Sequence, residues 1–492
     1  MPKISFRPAR VVATALACAL AACAGPRPDA AFYGIDGEVA ARTGQTVRWQ
    51  RGVTADSTPI PPALLAGPLD ADGAIALALA RNPALQIELA ELAIADADLA
   101  QASTLRNPRF GFTRLANGAG VEIDRSVMID LVSLLTFGLR RDIEARRFDR
   151  SRLVAADAAV RLAIDTRRAW IEAVAARQTL LYARQAVEAA EASAELGRRM
   201  VAAGNWPRLS QLREEAFMAD TRTRLQRAEL TATATRERLA RLIGLADVSG
   251  GAGGNANATP SAAQGQPAAD ADLLPHLPDR LPPLPAAALD LPGAEQSALD
   301  HRLDVQAARF DADVTARDLG LTRATRWINV AEVGYVNQSK PGEARQNGYE
   351  ISVELPLFDQ GDSRLARAEA VYWQRVQNVA RVVVDARSQV REAHARYRGG
   401  WQLAARYRDE LLPLRRQISD EQMLRYNAMF ADVFALLIDA REQIDAVMGA
   451  IDAERDFWLA EADLQAALGQ PLPTATAPAA APTSSLTPNH AH

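Results

Sequence analysis

From Asn347 to Leu357 apolar and polar side chains alternate along the chain. Tyr349, Ile351, Val353, Leu355 and Leu357 fall on one side, with Glu350, Ser352 and Glu354 on the other. A period of two is a strand, and this strand has one face suited to an apolar medium and one suited to water. Pro356 then lacks the N–H for a ladder, and Asp359-Gln360-Gly361 turns the chain into a long helical run. The plan occurs twice. Val121, Ile123, Val127, Ile129 and Leu131 alternate with Glu122, Asp124, Ser126, Met128 and Asp130, and Gly138 precedes another helical run. Two such units, each flanked by very long helices, describe a repeat protein.

The rest of the chain follows that division. Pro26 to Pro68 is rich in Pro, Gly, Ala and Thr and reads as an extended arm. A body begins near Asp70, and Pro83 suits the first turn of a helix, where a missing N–H costs nothing. Strands are expected over Arg109 to Leu115 and Val121 to Leu135. From Leu139 to Ala203 no proline interrupts, which predicts a helix of about 100 Å. Val160, Ile164, Ile171, Val174 and Leu181 keep a coiled-coil spacing along it. Gly204-Asn205-Trp206-Pro207 breaks this run, and Leu209 to Leu242 returns to Gly244. Ser249 to Pro292 reads as a linker with no core of its own.

The second copy opens at His301-Arg302-Leu303, with strands expected over Trp327 to Val336 and Gly348 to Leu357. Its helical run is expected to bend or break at Gly399-Gly400 and Pro413, turn at Tyr426-Asn427, and end at Gly469. The domain boundaries are therefore 1–22, an export signal; 23–69, the arm; 70–245, the first repeat; 246–295, the linker; 296–469, the second repeat; and 470–492, a Pro/Ala/Thr-rich tail.

The export signal rests on Lys3, Arg7 and Arg10 ahead of a short apolar stretch ending in Leu20-Ala21-Ala22-Cys23. That ending resembles the bacterial lipoprotein signal, which implies an acylated Cys23 and, with Ala24 in place of Asp, the outer membrane. No later apolar run reaches the roughly 18 residues of a membrane-spanning helix, so any spanning structure must be a closed barrel. The 56 Lys and Arg nearly balance the 60 Asp and Glu, which gives nucleic acid no purchase. His276, His301, His394, His490 and His492 make no metal-ligand pair on an ordered helix, and no phosphate loop, G-x-S-x-G or Cys/His cluster occurs. The residues present no enzyme site and ask for no cofactor.

Arg81-Asn82-Pro83, the Leu355–Gly361 segment, the turns at Gly204 and Tyr426, and Ile438-Asp439-Ala440 together resemble the TolC family of outer-membrane efflux channels. The likeness spans about residues 70 to 470 and implies a mainly α fold with a small β part. It implies a homotrimer in which each chain gives four strands to a shared twelve-stranded barrel and its helices to a periplasmic tunnel. The residues ask for something similar, since about eight strands are needed to close a barrel and four leave two open edges. The family also implies a periplasmic adaptor and an inner-membrane transporter as partners, with outer-membrane lipid around the strands. The rivals are a periplasmic coiled-coil adaptor and a structural lipoprotein without a pore.

Three sets of candidate residues follow. Tyr349, Ile351, Val353 and Leu355 are the lipid-facing positions. The turns Gly204, Asn205, Trp206 and Tyr426, Asn427, Met429 are the adaptor-docking tips that the resemblance implies, with Asn427 expected to supply a left-handed backbone where glycine is common. Asp432 and Asp439, seven apart on one helix face, are the aperture candidates; the alternative for Asp439 is a charge paired with Arg441 or a neighbouring helix.

Overall fold

A computed structural model describes residues 32–47, 49, 67–118, 120–245, 275–327 and 330–472. Cys23, most of the arm, the middle of the linker and the tail lie outside the described residues. The elements in order are α1 (Tyr33–Thr43), α2 (Ala71–Arg81), α3 (Pro83–Ala102), β1 (Arg109–Asn117), β2 (Gly120–Asp130), α4 (Leu131–Ala202) and α5 (Arg208–Ile243). Then come α6 (Ala294–His301), α7 (Leu303–Ala324), β3 (Ala331–Ser339), β4 (Gln346–Val353), α8 (Asp362–Arg406), a π-helical turn (Tyr407–Leu411), α9 (Leu412–Asn427) and α10 (Val433–Leu468). Their described residues form two compact units, one drawn from 1–37, 87–155 and 307–380, the other from 38–86, 156–306 and 381–472.

The first unit holds a four-stranded antiparallel sheet in the order β1-β2-β3-β4. Its register aligns Phe110, Val127, Tyr335 and Tyr349 in one row and Ile129, Val333 and Ile351 in the next. Tyr335 and Tyr349 meet edge-on at 6.3 Å. Nearer the hairpin ends the same face turns polar, with Arg125, Asn337 and Asn347 in one row. The opposite face carries Asp124, Ser126, Gln338, Glu350 and Ser352. On β2 burial runs opposite to a soluble sheet: Val127 and Ile129 are 41% and 46% exposed, while Ser126, Met128 and Asp130 are partly covered; β4 is exposed on both faces. Beside the sheet, α4 and α7 are tied by Arg147–Asp318 at 2.7 Å, Arg150–Asp311 at 3.0 Å and Arg317–Asp142.

Both strand pairs end earlier than their alternation predicts. Asp130 accepts from the backbone N–H of Ser133 at 2.9 Å, so it caps α4 and converts Leu131 to Leu135 into the first helical turn. Gly138 therefore lies inside α4 and does not precede it. In the second copy the last ladder bond is Glu354 N–H to the Val330 carbonyl, and Leu355 to Leu357 form a turn. Pro356, with no donor, explains the stop.

In the second unit each repeat closes on itself in the same way. Asn82 caps α3 through Ala84 N–H at 2.8 Å and donates to the Leu242 carbonyl at 2.9 Å. Gly244 and Gly469 end α5 and α10 in the left-handed region, φ 75° and 70°. A Cβ on Gly244 would stand 2.8 Å from the Arg81 carbonyl oxygen, and one on Gly469 3.0 Å from the Arg302 Cα. The returning helix of each repeat thus seats its terminal glycine against the hinge where that repeat began.

Two segments expected to lack packing are ordered. In the arm, α1 is a helix that buries Ile35 and Val39, and Arg42 donates to the His301 carbonyl at 3.0 Å. In the linker, Leu277 and Leu281 enter a core with Trp170, Val174 and Leu239. The indoles of Trp458 and Trp401 donate to the carbonyls of Pro282 and Pro285 at 3.2 and 3.0 Å. Proline-rich composition here marks an extended strap whose carbonyls find aromatic donors.

The expected break in the last long helix also differs. α8 runs straight through Gly399-Gly400, and a Cβ on Gly400 would meet the Phe457 backbone at 3.3 Å. Gly400 serves close approach to α10, whereas a Cβ on Gly399 would meet open space. The irregularity comes later, where Leu412 N–H bonds back to the Tyr407 carbonyl in a π turn. Pro413 would otherwise crowd the carbonyl four residues back, and the wider turn accommodates it.

Two outcomes follow. Gly244→Ala should cost about 1–2 kcal/mol from its left-handed backbone alone, and more from the contact with Arg81, read as a lowered Tm. Burial pushes the Asp157 carboxyl above the usual range, Arg161 opposing and Asp304 adding to the shift. The folded chain therefore binds this proton more tightly than the unfolded one. Stability gains from Asp157 as pH falls through its folded pKa towards the ordinary carboxylate range, and its charged form opposes folding at neutral pH. Asp157→Asn should raise the neutral-pH Tm and flatten that part of the profile.

Candidate functional site at the hairpin tips

The two long hairpins of the second unit end in the same backbone motif. At the first, Asn205 N–H bonds to the Met200 carbonyl at 2.9 Å and Gly204 N–H to Val201 at 2.9 Å, with Gly204 at φ 76°. At the second, Phe430 N–H bonds to the Arg425 carbonyl at 2.8 Å and Met429 N–H to Tyr426 at 3.0 Å, with Met429 at φ 63°. Both are Schellman closures, in which a left-handed residue lets two N–H groups reach back to the last turn. Asn427 is the final residue of α9, so the left-handed position expected there falls two residues later. The offset that pairs Gly244 with Gly469 also carries Gly204 onto Met429 and Pro207, which precedes α5, onto Asp432. That offset was the available signal.

The tips touch through Trp206, whose ring meets Phe434 at the start of α10 edge-on at 6.3 Å. Tyr426 and Asn205 are exposed, and Met429 is 93% exposed. Asp432 caps α10, accepting from Ala435 N–H at 2.9 Å, while remaining exposed. Asp439 sits differently. With Ala446, Ala453, Ala460 and Ala467 it forms a seven-residue series of buried positions along α10. It is 7% exposed, and its Oδ1 has no hydrogen-bond partner among the described residues.

Arg441, the partner proposed for Asp439 in the alternative reading, is engaged elsewhere. Its guanidinium donates to Glu214 Oε1 on α5 and lies over the Phe217 ring, 4.4 Å from the centroid. Glu214 is fully buried, and Ser193 Oγ on α4 donates to its other oxygen. One carboxylate thus joins three helices just inside the tips, a cluster that single-helix spacing could not reveal. Arg222–Glu191 at 2.7 Å, Arg224–Asp445 at 2.6 Å and Arg415–Glu442 continue the cross-helix pairing at the surface. The lipid-face candidates lie in the first unit, where Tyr349, Ile351, Val353 and Leu355 are all exposed.

Glu214→Ala should cost about 1–3 kcal/mol, because it leaves the buried Ser193 hydroxyl and the half-buried Arg441 without their shared partner. Exposed pairs such as Arg222–Glu191 should cost under about 1 kcal/mol when broken. At the second tip, Met429→Gly should slow exchange of the Phe430 amide, since relief of the left-handed strain outweighs glycine's backbone entropy. Met429→Val should quicken it.

No family model and no curated protein matches this chain. Solved structures do. The CmeC outer membrane channel of Campylobacter jejuni aligns over 81% of this chain and 85% of its own, at 12% identity and a TM-score of 0.66. The open-state MtrE outer membrane channel of Neisseria gonorrhoeae covers 80% and 88%, at 19% identity and a TM-score of 0.60. The outer membrane protein VceC of Vibrio cholerae covers 82% and 96%, at 16% identity and a TM-score of 0.62. With its paired repeats, four-stranded sheet and long helical hairpins, the chain has the fold of the TolC-like outer-membrane channels.

Proposed function

We propose that the chain is a lipid-anchored, trimeric outer-membrane channel, the exit duct of a tripartite efflux or type I secretion assembly. The observation that carries this reading is a sheet with its apolar row (Phe110, Val127, Tyr349, Ile351) exposed, its inverted burial clearest on β2, and two edges that no described strand covers. Such a sheet is unstable in water and suited to lipid once three copies pair edge to edge into twelve strands. Solutes would pass along the polar face, and transport energy would come from an inner-membrane transporter joined through a periplasmic adaptor. Cys23 would carry the acyl anchor, and the exposed side chains of both tips would meet the adaptor. A pore-free lipoprotein would have no use for an inverted sheet, and a periplasmic adaptor would have no lipid to meet it.

We assign the aperture to Asp432, a choice supported by its solvent-exposed position at the start of α10. Asp439 would join it only if the α9–α10 seam opened. Reversal potentials in a salt gradient should therefore show reduced cation preference for Asp432→Asn and little change for Asp439→Asn. The opposite ranking would return the aperture to Asp439.

The channel itself is tested by planar-bilayer conductance of the purified chain and by one substitution on each sheet face. Ile351→Arg should cost about 2–4 kcal/mol per chain near the bilayer midplane and block assembly. Ser352→Arg, one residue on, should assemble and alter conductance. No conductance from the parent, or equal damage from both changes, would sink the reading.

A further inference from the structure

Where the chain passes from β4 into α8, the first unit has an open pocket of about 320 Å³ lined by Arg326, Thr315, Thr322 and Thr325 and by Arg364 and Arg367, both exposed at its mouth. Its one lining carboxylate, Asp318, is bonded to Arg147 at 2.7 Å. Arg326 is held by Asp362, by the Gln360 carbonyl at 3.2 Å and by the Trp327 ring, 4.8 Å from its centroid. The other two guanidiniums are not neutralised. Arg364 reaches only the Arg326 carbonyl, at 3.4 Å, and Arg367 has no hydrogen bond or ion pair among the described residues. The threonines donate to the carbonyls one turn back, which leaves their oxygens as acceptors.

Apolar groups adjoin this basic pocket through the chain itself. Trp327 follows Arg326 directly, and Leu355, Leu357 and Phe358 lead into Gly361 on the rim. All four side chains are exposed, Phe358 completely. A charged cup beside an aromatic and aliphatic shelf, at the end of a lipid-facing strand, matches one kind of molecule. Guanidinium forks bind phosphate in two-pronged fashion, and aromatic side chains favour the level of the headgroups.

We propose that this pocket binds the headgroup phosphate of an anionic phospholipid, with its acyl chains on the Trp327–Leu357–Phe358 shelf. Arg364 and Arg367 grip the phosphate, and the threonine oxygens accept from a hydroxyl-bearing headgroup such as glycerol. The proposal rests on the reading of the sheet as membrane-spanning. A free phosphate ion would use the arginines and leave the shelf bare; a carboxylate from a second copy would leave no lipid bound.

The test uses the full chain, purified in detergent and delipidated. Phosphatidylglycerol, phosphatidylethanolamine or inorganic phosphate is added back, and bound lipid per chain is measured by mass spectrometry beside the shift in Tm. The parent should retain phosphatidylglycerol in preference to phosphatidylethanolamine. The pair Arg364→Gln and Arg367→Gln should lower that retention by about tenfold, while the corresponding lysine pair, keeping charge but losing the fork, should fall between. Arg387→Gln, an exposed arginine in the other unit, should match the parent. If the glutamine pair does not assemble, Arg367→Gln alone is judged by the same criterion.

Equal retention of both lipids, or an unchanged glutamine variant, overturns the proposal. So does an equal Tm shift with inorganic phosphate. Conductance in planar bilayers separates the two readings. A parent that inserts and conducts without retaining phosphatidylglycerol overturns this inference alone, whereas one that never inserts overturns the membrane reading and this inference with it.

Discussion

The outer edges of β1 and β4 carry backbone N–H and C=O groups that no strand among the described residues pairs. A buried unpaired backbone group costs free energy comparable to a lost hydrogen bond, and in lipid no water can relieve it. The side chains remove the other escape, because Phe110, Val127, Ile129, Tyr349 and Ile351 would expose an apolar face to water. On the proposed reading, a sheet constrained in both ways takes lipid on one face and further strands at each edge. Repetition of one chain meets the second need without a new sequence.

The helices meet a different requirement. Alanine at Ala155, Ala156, Ala159, Ala169, Ala173 and Ala175 keeps α4 slender enough for close neighbours. Large apolar groups are confined to a few stations, such as Tyr397 against Phe457 at 5.4 Å. Specificity then passes to polar contacts. The Ser193–Glu214–Arg441 cluster fixes how α4, α5 and α10 meet near the tips, where small side chains alone would permit sliding.

Regular periodicity was legible, and conversions from one period to another were less so. The alternation around Val127 and Ile351 and the proline-free run of α4 could be read directly, as could the glycines closing each repeat. Leu131 to Leu135 could not, because Leu131 and Leu135 continue the odd-numbered strand pattern that the Asp130 cap overrules. The strap over residues 275–293 was missed for a related reason. Its order comes from tryptophans more than a hundred positions away in the chain, and composition reports only that it is neither helix nor strand. Asp439 shows the limit of helical spacing: sharing a face with Asp432 says nothing of what covers that face, and the alanine series places it in a seam.

The two repeats match in plan and differ in where they store strain. The first hairpin turns on Gly204, which adopts its left-handed backbone at no steric cost. The second turns on Met429, where the same geometry costs about 1–2 kcal/mol. That hairpin also holds the π turn before Pro413 and the unpartnered oxygen of Asp439. An unpaired buried polar atom adds a penalty of about 1–3 kcal/mol. These costs fall between the π turn ahead of α9 and the start of α10, whereas α5 carries none of the three and α4 only an unpartnered Nε at Arg152, well before its turn. Local opening draws on the least stable elements, so the second hairpin separates from its seam at lower cost than the first. The duplication thus supplies two walls of one design, and divergence has made one of them the easier to move.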